Sequence, residues 1–326
     1  MLKILKNSLQ TTVQDLGRSG FQKYGVIASG AMDPYAHRLA NILVGNKEQA
    51  ATLEITLVGP AIEFMEDTVI ALCGGDLSPK LDGQTAPMWR MLSVKKGNIL
   101  TFGEPRIGAR CYLAIAGGIE VPEVMGSRST YLRAGIGGFQ GRALEKGDEV
   151  SVAQISRHQL SSLLQEAENA ADWLLPPVRY FEEPVIRMMA GRQFNLFDDN
   201  SKKRIFQEAF AVSSNSDRMG YRLEGPRLAL EKPAELISEA VAFGSVQVPA
   251  DGNPIVLLAD RQTTGGYPKI GQVASVDLPL LSQLKPGQQL RFKEISLADA
   301  QQCWIEQEQM IRQIKAAIKL KREEWT

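Results

Sequence analysis

The chain has 326 residues, of which 44% are hydrophobic and 23% are charged; this is a globular composition with material for one large or two medium-sized cores. Its 37 Lys and Arg residues balance 37 Asp and Glu residues, which excludes the bulk positive field of a nucleic-acid-binding protein. No stretch approaches the roughly 18 uninterrupted apolar residues of a membrane span, and residues 1–15 lack the apolar core of a signal peptide. We therefore expect no membrane partner and a cytoplasmic location.

Short apolar runs separated by Gly, Pro and Asp recur along the chain and predict a mainly β protein with peripheral helices. The predicted strands are Leu2 to Leu5, Leu53 to Val58, Thr68 to Cys73, Ile99 to Phe102, Tyr112 to Ala116 and Ile255 to Ala259. Helical patterns cover Pro34 to Val44, Gln159 to Ala170, Asp199 to Ala209 and Leu297 to Lys321. The last pattern is amphipathic with a basic end, which favours packing on the body of the protein over a membrane or partner contact.

A weak internal repeat indicates two related halves. Leu57 to Ile62 and Leu223 to Leu228 share the pattern Leu-x-Gly-Pro-x-aliphatic. Turns that contain Lys and Gly lead into strands at Lys96-Gly97, Lys146-Gly147 and Lys285-Pro286-Gly287, where glycine supplies a positive φ.

Consecutive prolines near Leu174 to Pro177 discourage both helix and central strand and mark a boundary between domains. We predict a first subdomain over residues 1–176, a second over 177–295, and a C-terminal helix over 296–326.

Histidine and cysteine are too scarce for a metal site or a disulfide framework. His37 and His158 are the only histidines, and both are predicted on the surface. Cys73, Cys111 and Cys303 are far apart and are expected to be reduced. The chain also has no GxxxxGK[ST] loop, strand-linked GxGxxG, HExxH or GxSxG motif and no Met-Lys-Met context for a biotin lysine. No self-contained nucleotide site is predicted.

Two glycine-rich segments in the first half are candidate binding loops. In QDLGRSGFQKYGVIASGAMD, residues 14–33, the polar candidates are Arg18 and Asp33. Asp33 precedes Pro34, so it is equally a helix N-cap, and one residue can do both. In GSRSTYLRAGIGGFQGR, residues 126–142, glycine amides and guanidinium groups could hold a carboxylate or phosphate; the alternative is an ordered loop with salt-bridged arginines. The candidates there are Arg128, Ser129, Thr130 and Arg142.

Two further segments lie in the second half. NSDRMGYRLEGP, residues 215–226, contains Arg218, and ADRQTTGGYPKIGQV, residues 259–273, places polar residues just past a predicted strand. The candidates in the latter are Asp260, Arg261, Gln262, Thr263, Thr264, Tyr267 and Lys269. Asp260 could act as a general base or as a carboxylate beside a metal, while Arg261 and Lys269 could neutralise developing negative charge.

These segments, together with LEITLVGP and YLAIAGGI, resemble the biotin-dependent carboxyltransferase-like family over nearly all of residues 1–295. That family includes 5-oxoprolinase subunits, also described as antagonists of a sporulation-kinase inhibitor, and second subunits of allophanate hydrolase and urea carboxylase. The resemblance implies two cyclophilin-like β-barrel subdomains.

The resemblance further implies an enzyme that is active only as part of a complex. It would open 5-oxo-L-proline to L-glutamate with ATP and Mg as co-substrate, without covalently attached biotin. The implied partners are a B-type 5-oxoprolinase subunit, which resembles kinase inhibitors, and a separate lactam hydrolase subunit. On this hypothesis Asp260, Lys269 and Tyr267 are catalytic, with Tyr267 orienting the substrate, and the other candidates bind substrate or anion.

Two alternatives remain at this point. The chain could be the carboxyltransferase half of a urea carboxylase and allophanate hydrolase system, or a regulatory protein that sequesters a histidine-kinase inhibitor and catalyses nothing. Dependence on biotin would separate the first from a 5-oxoprolinase, and turnover of 5-oxoproline would separate the second.

Overall fold

A computed structural model describes residues 1–169, 184–234 and 236–325, together with residues 175 and 180. The chain divides into two compact units, each assembled from separate stretches of sequence. Unit 1 comprises Met1–Arg18, Ser29–Arg179 and Met310–Thr326, and unit 2 comprises Ser19–Ala28 and Tyr180–Gln309.

Unit 1 is built from antiparallel strands in two sheets. Its strands are β1 (Leu2–Lys6), β2 (Gln10–Gln14), β3 (Thr52–Thr56), β4 (Ala61–Phe64), β5 (Thr68–Asp76), β6 (Lys80–Leu81), β7 (Gln84–Thr85), β8 (Met91–Val94), β9 (Ile99–Thr101), β10 (Ile107–Ile115) and β11 (Glu149–Val150). One sheet has the order β11-β1-β4-β9-β6-β7 and the other β2-β3-β10-β5-β8.

An apolar cluster joins the two sheets of unit 1. Leu2 and Ile4 of the first sheet belong to the same buried cluster as Leu53, Ile70 and Leu113 of the second. The central strands β5 and β10 are buried along most of their length, which explains their nearly continuous apolar sequences. Burial of such side chains stabilises the fold by roughly 1.5–3 kcal/mol each before the entropy of folding is subtracted.

Two helices cover the second sheet of unit 1. Helix α1 (Pro34–Leu43) packs against β5 and β10, and α2 (Arg157–Asn169) packs against β5 and β8. Asp33 caps α1 as predicted, because its carboxylate accepts a 2.9 Å hydrogen bond from the Ala36 amide and Pro34 occupies the first turn.

Unit 2 contains a closed β-barrel. The strands of unit 2 are β12 (Val185–Ala190), β13 (Ala209–Val212), β14 (Gly220–Glu224), β15 (Glu239–Ala240), β16 (Ser245–Gln247), β17 (Ile255–Leu257), β18 (Thr264–Gly265), β19 (Lys269–Val273) and β20 (Gln289–Glu294). The barrel order is β12-β19-β16-β17-β14-β13-β20, while β15 and β18 form a separate pair. Phe210 and Phe292 are buried, with ring centroids 6.0 Å apart.

The remaining helices are α3 (Asp199–Gln207), which packs on β20, α4 (Leu278–Ser282) and the long α5 (Leu297–Trp325). The first part of α5 is grouped with unit 2, and the part from Met310 onward is grouped with unit 1. Ile311 and Ile318 of α5 are buried, and Lys315 forms a 2.6 Å ion pair with Glu48. No helix in the described ranges is long and apolar enough to cross a bilayer.

The mainly β fold with a C-terminal helix is confirmed, and each predicted strand and helix overlaps an observed one. The bounds differ where the backbone changes conformation. Strand β3 ends at Thr56 because Leu57 adopts a φ of 55°. The predicted helix to Ala209 ends at Gln207, since Ala209 already begins β13.

The predicted turns also form. At Gly97, Gly147 and Gly287 φ is 87°, 97° and 85°. In each turn the residue two before the glycine donates its amide hydrogen to the side chain of the residue after it, and the two residues are joined again by a backbone bond.

Both copies of the Gly-Pro repeat follow a strand and pass close to a phenylalanine. A Cβ on Gly59 would lie 2.5 Å from the Phe102 ring, and one on Gly225 would lie 2.9 Å from the Phe210 ring. The predicted boundary at Leu174 to Pro177 falls outside the described residues, apart from Leu175. The ranges 1–176, 177–295 and 296–326, and the cyclophilin-like character of two subdomains, stay predictions.

Candidate functional site

The first candidate site is the glycine-loop cluster of unit 1, formed by Asp15, Arg18, Ser127, Ser129 and Thr130. The Asp15 carboxylate accepts hydrogen bonds from the Gly17 amide at 2.8 Å, the Ser127 hydroxyl at 2.7 Å and the Arg128 amide at 2.6 Å, and also from the Ser129 hydroxyl. Thr130 donates to the Val13 carbonyl. These bonds bind the segment around residues 124–130 to the segment around residues 13–18.

Arg18 lies beneath this loop with no exposed surface. Its Nε donates to the Val124 carbonyl at 3.0 Å, and its Nη2 donates to the Ser129 carbonyl at 2.9 Å. Gly137 and Gly138 pack on the same residues, because a Cβ on Gly137 would lie 2.7 Å from Arg18 Nη2 and one on Gly138 would lie 1.8 Å from Thr130 Oγ1. Close packing therefore requires these glycines, whether or not the loop also binds a ligand.

The two other candidate arginines of this region, Arg142 and Arg128, have different surroundings. Arg142 forms a bidentate ion pair with Asp148, with nitrogen to oxygen distances of 2.7 and 2.8 Å. Such a pair is what the alternative prediction for this segment, an ordered loop with salt-bridged arginines, describes. Hydrogen bonds from Arg142 lower the pKa of Asp148 below its usual range. Arg128 donates from Nε to the Val121 carbonyl and borders a cavity of about 370 Å³.

A buried polar network behind α1 was not predicted from the sequence. The Tyr112 hydroxyl donates to Glu54 at 2.8 Å and accepts from the Asp33 amide at 2.8 Å, while the Met32 amide donates to Glu54 at 2.9 Å. Burial, reinforced by Glu54, raises the pKa of Tyr112 well above its ordinary value. The sequence feature that could have indicated this network is Glu54, a charged residue inside the apolar run Leu53 to Val58.

The prediction that His37 lies on the surface is wrong, whereas His158 is exposed as predicted. His37 occupies the inner face of α1, one turn after Asp33, and has no exposed surface. Its Nδ1 lies 2.9 Å from Thr52 Oγ1 and its Nε2 lies 3.4 Å from Asn41 Nδ2. Burial lowers the pKa of His37 to about 4, so this imidazole is neutral at pH 7.

The second candidate site is the barrel-rim cluster of unit 2, formed by Arg192, Gln193, Glu239, Tyr267 and Lys269. The register of β12, β16 and β19 places Arg192, Gln193 and Lys269 at one end of the barrel. Glu239 accepts from Lys269 at 2.6 Å, Gln193 at 2.7 Å and Arg192 at 3.0 Å. Hydrogen bonds from Lys269 and Gln193 lower the pKa of Glu239.

This cluster combines accessible charge with fixed geometry. The Lys269 side chain is 12% exposed and that of Arg192 is 79% exposed, while Tyr267 is 53% exposed. Glu239 accepts from the Lys269 ammonium and from one guanidinium nitrogen of Arg192, so the remaining N–H groups of this exposed guanidinium can donate to an anion from solvent. Sequence reasoning found Lys269 and Tyr267 but missed Glu239, Arg192 and Gln193, which come from distant and unremarkable segments.

Asp260 lies at the opposite end of the barrel, since it follows β17 while Lys269 begins β19. Arg218 donates to Asp260 through Nε at 2.9 Å and Nη2 at 3.2 Å, and both side chains are buried. The structure therefore does not bring Asp260 together with Lys269, and it engages the Asp260 carboxylate in a bidentate ion pair.

The residues between Asp260 and Lys269 connect the two ends of the barrel. Arg261 donates to the Leu258 carbonyl at 3.2 Å and stacks over Phe243 at 5.8 Å. The Thr263 carbonyl accepts from the Val241 amide, and Thr264 pairs with Ala240 between β18 and β15. Gln262 adjoins this turn in sequence. Among the described residues no three His, Cys, Asp or Glu side chains come together as a metal site.

The carboxyltransferase domain model, subdomain A and B, matches residues 24–294. This chain belongs to that family. The carboxyltransferase match spans the barrel-rim cluster and excludes α5, which agrees with the expected limit of the resemblance near residue 295.

Relatives of this carboxyltransferase-domain protein extend the match over nearly the whole chain. It is 41% identical to the C-type subunit of 5-oxoprolinase from Escherichia coli, covering 96% of this chain and 97% of the relative. It is 37% identical to the corresponding 5-oxoprolinase subunit from Haemophilus influenzae, covering 98% and 99%. The crystal structure of the Kluyveromyces lactis urea amidolyase superposes with a TM-score of 0.85 at 32% identity, covering 95% of this chain and 20% of that one.

Proposed function

We propose that the chain is a subunit of an ATP-dependent 5-oxoprolinase, which opens 5-oxo-L-proline to L-glutamate together with a B-type subunit and a separate lactam hydrolase subunit. The observation that supports this most directly is identity of 41% over nearly the full length of both chains to the C-type 5-oxoprolinase subunit of Escherichia coli. A short local match would support only a shared domain, whereas full-length coverage supports a shared role.

The chemistry of the lactam gives ATP a role in this proposal. An amide carbonyl is a poor electrophile, so transfer of the γ-phosphoryl group of ATP to the lactam oxygen would first release ADP and create a leaving group. Addition of water at that carbon and expulsion of the amine would then cleave the C–N bond and leave a γ-glutamyl phosphate. Addition of a second water to this acyl phosphate releases phosphate and gives L-glutamate. We assign the activation step to this chain with the B-type subunit and the hydrolytic step to the third subunit; magnesium would accompany the nucleotide.

The barrel-rim cluster is our candidate for binding the anionic part of the substrate or the transferred phosphate. Arg192 and Lys269 provide positive charge at fixed positions around Glu239, and the exposed phenol of Tyr267 lies two residues before Lys269. Arg128 is a second anion candidate in unit 1. We assign Asp260 a positioning role, because its ion pair with Arg218 anchors the chain that leads to Tyr267 and Lys269.

Reconstitution tests this proposal. The chain is coexpressed with its B-type partner and the hydrolytic subunit, and 5-oxoproline-dependent ADP release is measured for wild type, Lys269→Ala and Lys203→Ala. Lys203 is an exposed lysine of α3 in the same unit and serves as the matched control. We expect Lys269→Ala to reduce turnover about 100-fold or more, the scale of a lost anion contact in a transition state, and Lys203→Ala to match wild type.

Two results would contradict the proposal at different levels. If wild-type complex releases no ADP on addition of 5-oxoproline, the assigned activity is wrong. If the complex is active and Lys269→Ala stays within a few-fold of wild type, the activity stands and the barrel-rim cluster is not its anion site.

The similarity to the Kluyveromyces lactis urea amidolyase favours one alternative, a carboxyltransferase half that acts on urea with carboxybiotin. Avidin separates the two proposals, because it sequesters biotin and would abolish carboxyl transfer while leaving a 5-oxoprolinase unaffected. Retention of 5-oxoproline-dependent ADP release in the presence of avidin would exclude the alternative.

A further inference from the structure

The cavity of about 370 Å³ in unit 1 has walls of fixed shape. It lies between the segment that follows α1, residues 45–51, and the turn at residues 117–120, with Ala153, Ile155 and Gln159 completing the wall. Asn46 fixes this geometry, because its Oδ1 accepts from the Gly117 amide at 2.9 Å while its Nδ2 donates to Asn41 at 3.0 Å and to the Ile115 carbonyl at 2.8 Å.

Glycine at position 117 is required by the backbone on the other side of the wall. A Cβ there would lie 2.1 Å from the Ala153 carbonyl oxygen, and its φ is 95°. The backbone around Asn46 and Gly117 is therefore held in place, which reduces the entropy that this part of the cavity loses when a ligand binds.

Three charged side chains border the cavity: Lys47, Glu120 and Arg128. Lys47 is exposed, and no ion pair within 4.0 Å involves it in the described part of the chain. Arg128 is held by the Val121 carbonyl at 3.2 Å, and its Nη1 lies 3.5 Å from the exposed carboxylate of Glu123. Such a solvent-exposed pair contributes little, so a ligand carboxylate can compete for the guanidinium.

We infer that this cavity binds a small amino dicarboxylic acid, with its two carboxylates at Lys47 and Arg128 and its ammonium group at Glu120. The charges support this class: two cations and one carboxylate complement a ligand with two carboxylates and one ammonium group. A dicarboxylate without the ammonium group would leave Glu120 without a partner, and a phosphate would bring a further negative charge beside it. The inference does not rest on the proposed activity, since it concerns binding by this chain alone.

Isothermal titration calorimetry on the full chain at low ionic strength tests the inference with three probes: L-glutamate, glutarate and inorganic phosphate. We expect L-glutamate to bind, and Lys47→Ala and Arg128→Ala to weaken it about tenfold each, as for a lost charge-assisted hydrogen bond. Glu120→Gln should weaken L-glutamate, because it removes the ammonium partner, and should strengthen glutarate, because it removes a negative charge beside the two carboxylates. Lys80→Ala replaces an exposed lysine of unit 1 outside the cavity and should bind like wild type.

Three outcomes would overturn the inference: no heat with L-glutamate, tighter binding of phosphate than of L-glutamate, or equal affinity in wild type and Lys47→Ala. Lys47 and Glu120 are exposed, so their variants should fold, and circular dichroism checks this. If Arg128→Ala fails to fold, Lys47→Ala and Glu120→Gln decide the result between them.

Discussion

The Arg218 and Asp260 side chains are both about 5% exposed and form two hydrogen bonds with each other. Breaking such a buried ion pair by removing one of its members typically destabilises a protein by about 3–5 kcal/mol. This changes how an Asp260 variant should be interpreted, because lost activity in Asp260→Ala could follow from lost structure alone.

We therefore predict that Asp260→Ala lowers the free energy of unfolding by about 3–5 kcal/mol, measured by guanidinium denaturation. The double variant Asp260→Leu with Arg218→Met should recover most of this loss, because apolar side chains then replace both members of the buried pair. A single variant as stable as wild type would show that solvent reaches Arg218 and that the pair is not buried in solution.

His37 predicts a pH dependence of stability. Its pKa is about 4 in the folded protein and 6.5 for an ordinary histidine. Below pH 6.5 the unfolded chain binds a proton that the folded chain does not, so stability is present above pH 6.5 and is lost as the pH falls towards 4. The two values correspond to roughly 3 kcal/mol.

The measurement is guanidinium denaturation of wild type and His37→Asn at pH 7, 5.5 and 4.5. The variant is expected to be less stable at pH 7, and the difference between the two proteins should shrink as the pH falls. Parallel pH profiles would mean that His37 does not titrate differently in the two states.

At the scale of elements, the loop over Arg18 offers a matched pair of glycines. Gly138 has a φ of 55° and Thr130 Oγ1 would lie 1.8 Å from an added Cβ, whereas Gly135 has a φ of 64° and open space around it. Gly135→Ala should therefore lose only about 1–2 kcal/mol through backbone strain. Gly138→Ala should lose a further ~1–3 kcal/mol through the clash, and thermal unfolding of both variants measures the difference.

Equal losses in the two variants would mean that the loop moves away from Thr130 at little expense. This comparison also tests whether the glycines around Arg18 are required by packing, as the contacts indicate, independently of any ligand.

The elements that the sequence predicts well are those specified locally. Asp33-Pro34 predicts the start of α1, and the turns at Gly97, Gly147 and Gly287 each combine a positive φ with a polar residue directly after the glycine. Local chemistry is sufficient in these cases because the capping and turn contacts lie within four residues.

The candidate sites depend on contacts between distant residues and were therefore predicted only in part. Glu239 meets Lys269 across 30 positions of sequence, and Asp260, only nine positions from Lys269, lies at the other end of the barrel. The proximity of Asp260 and Lys269 in sequence suggested that they form one cluster, but the strand register places them at opposite ends of the barrel. His37 was misplaced for a related reason, since a polar residue on a helix gives no indication of which buried groups it will meet.

At the scale of the whole molecule, helix α5 contributes residues to both compact units, and its buried side chains are few. Ile311 is 1% exposed in the part grouped with unit 1, whereas Ile305 is 42% exposed in the part grouped with unit 2. The ion pair between Lys315 and Glu48 is partly exposed, so apolar burial at Ile311 should dominate the attachment of this part of α5.

We predict that Ile311→Asp destabilises unit 1 by about 3 kcal/mol or more, because it replaces a buried apolar side chain with an unpaired charge. Ile305→Asp makes the same chemical change in the same helix and should lose less than about 1 kcal/mol, as should Lys315→Ala.

Hydrogen exchange measured by mass spectrometry locates the effect. In Ile311→Asp, exchange should increase in α1, β5 and β10 while the barrel strands of unit 2 keep their protection. Uniform loss of protection in both units would show that the two units unfold as one cooperative structure, and no change would show that Ile311 is not buried in solution.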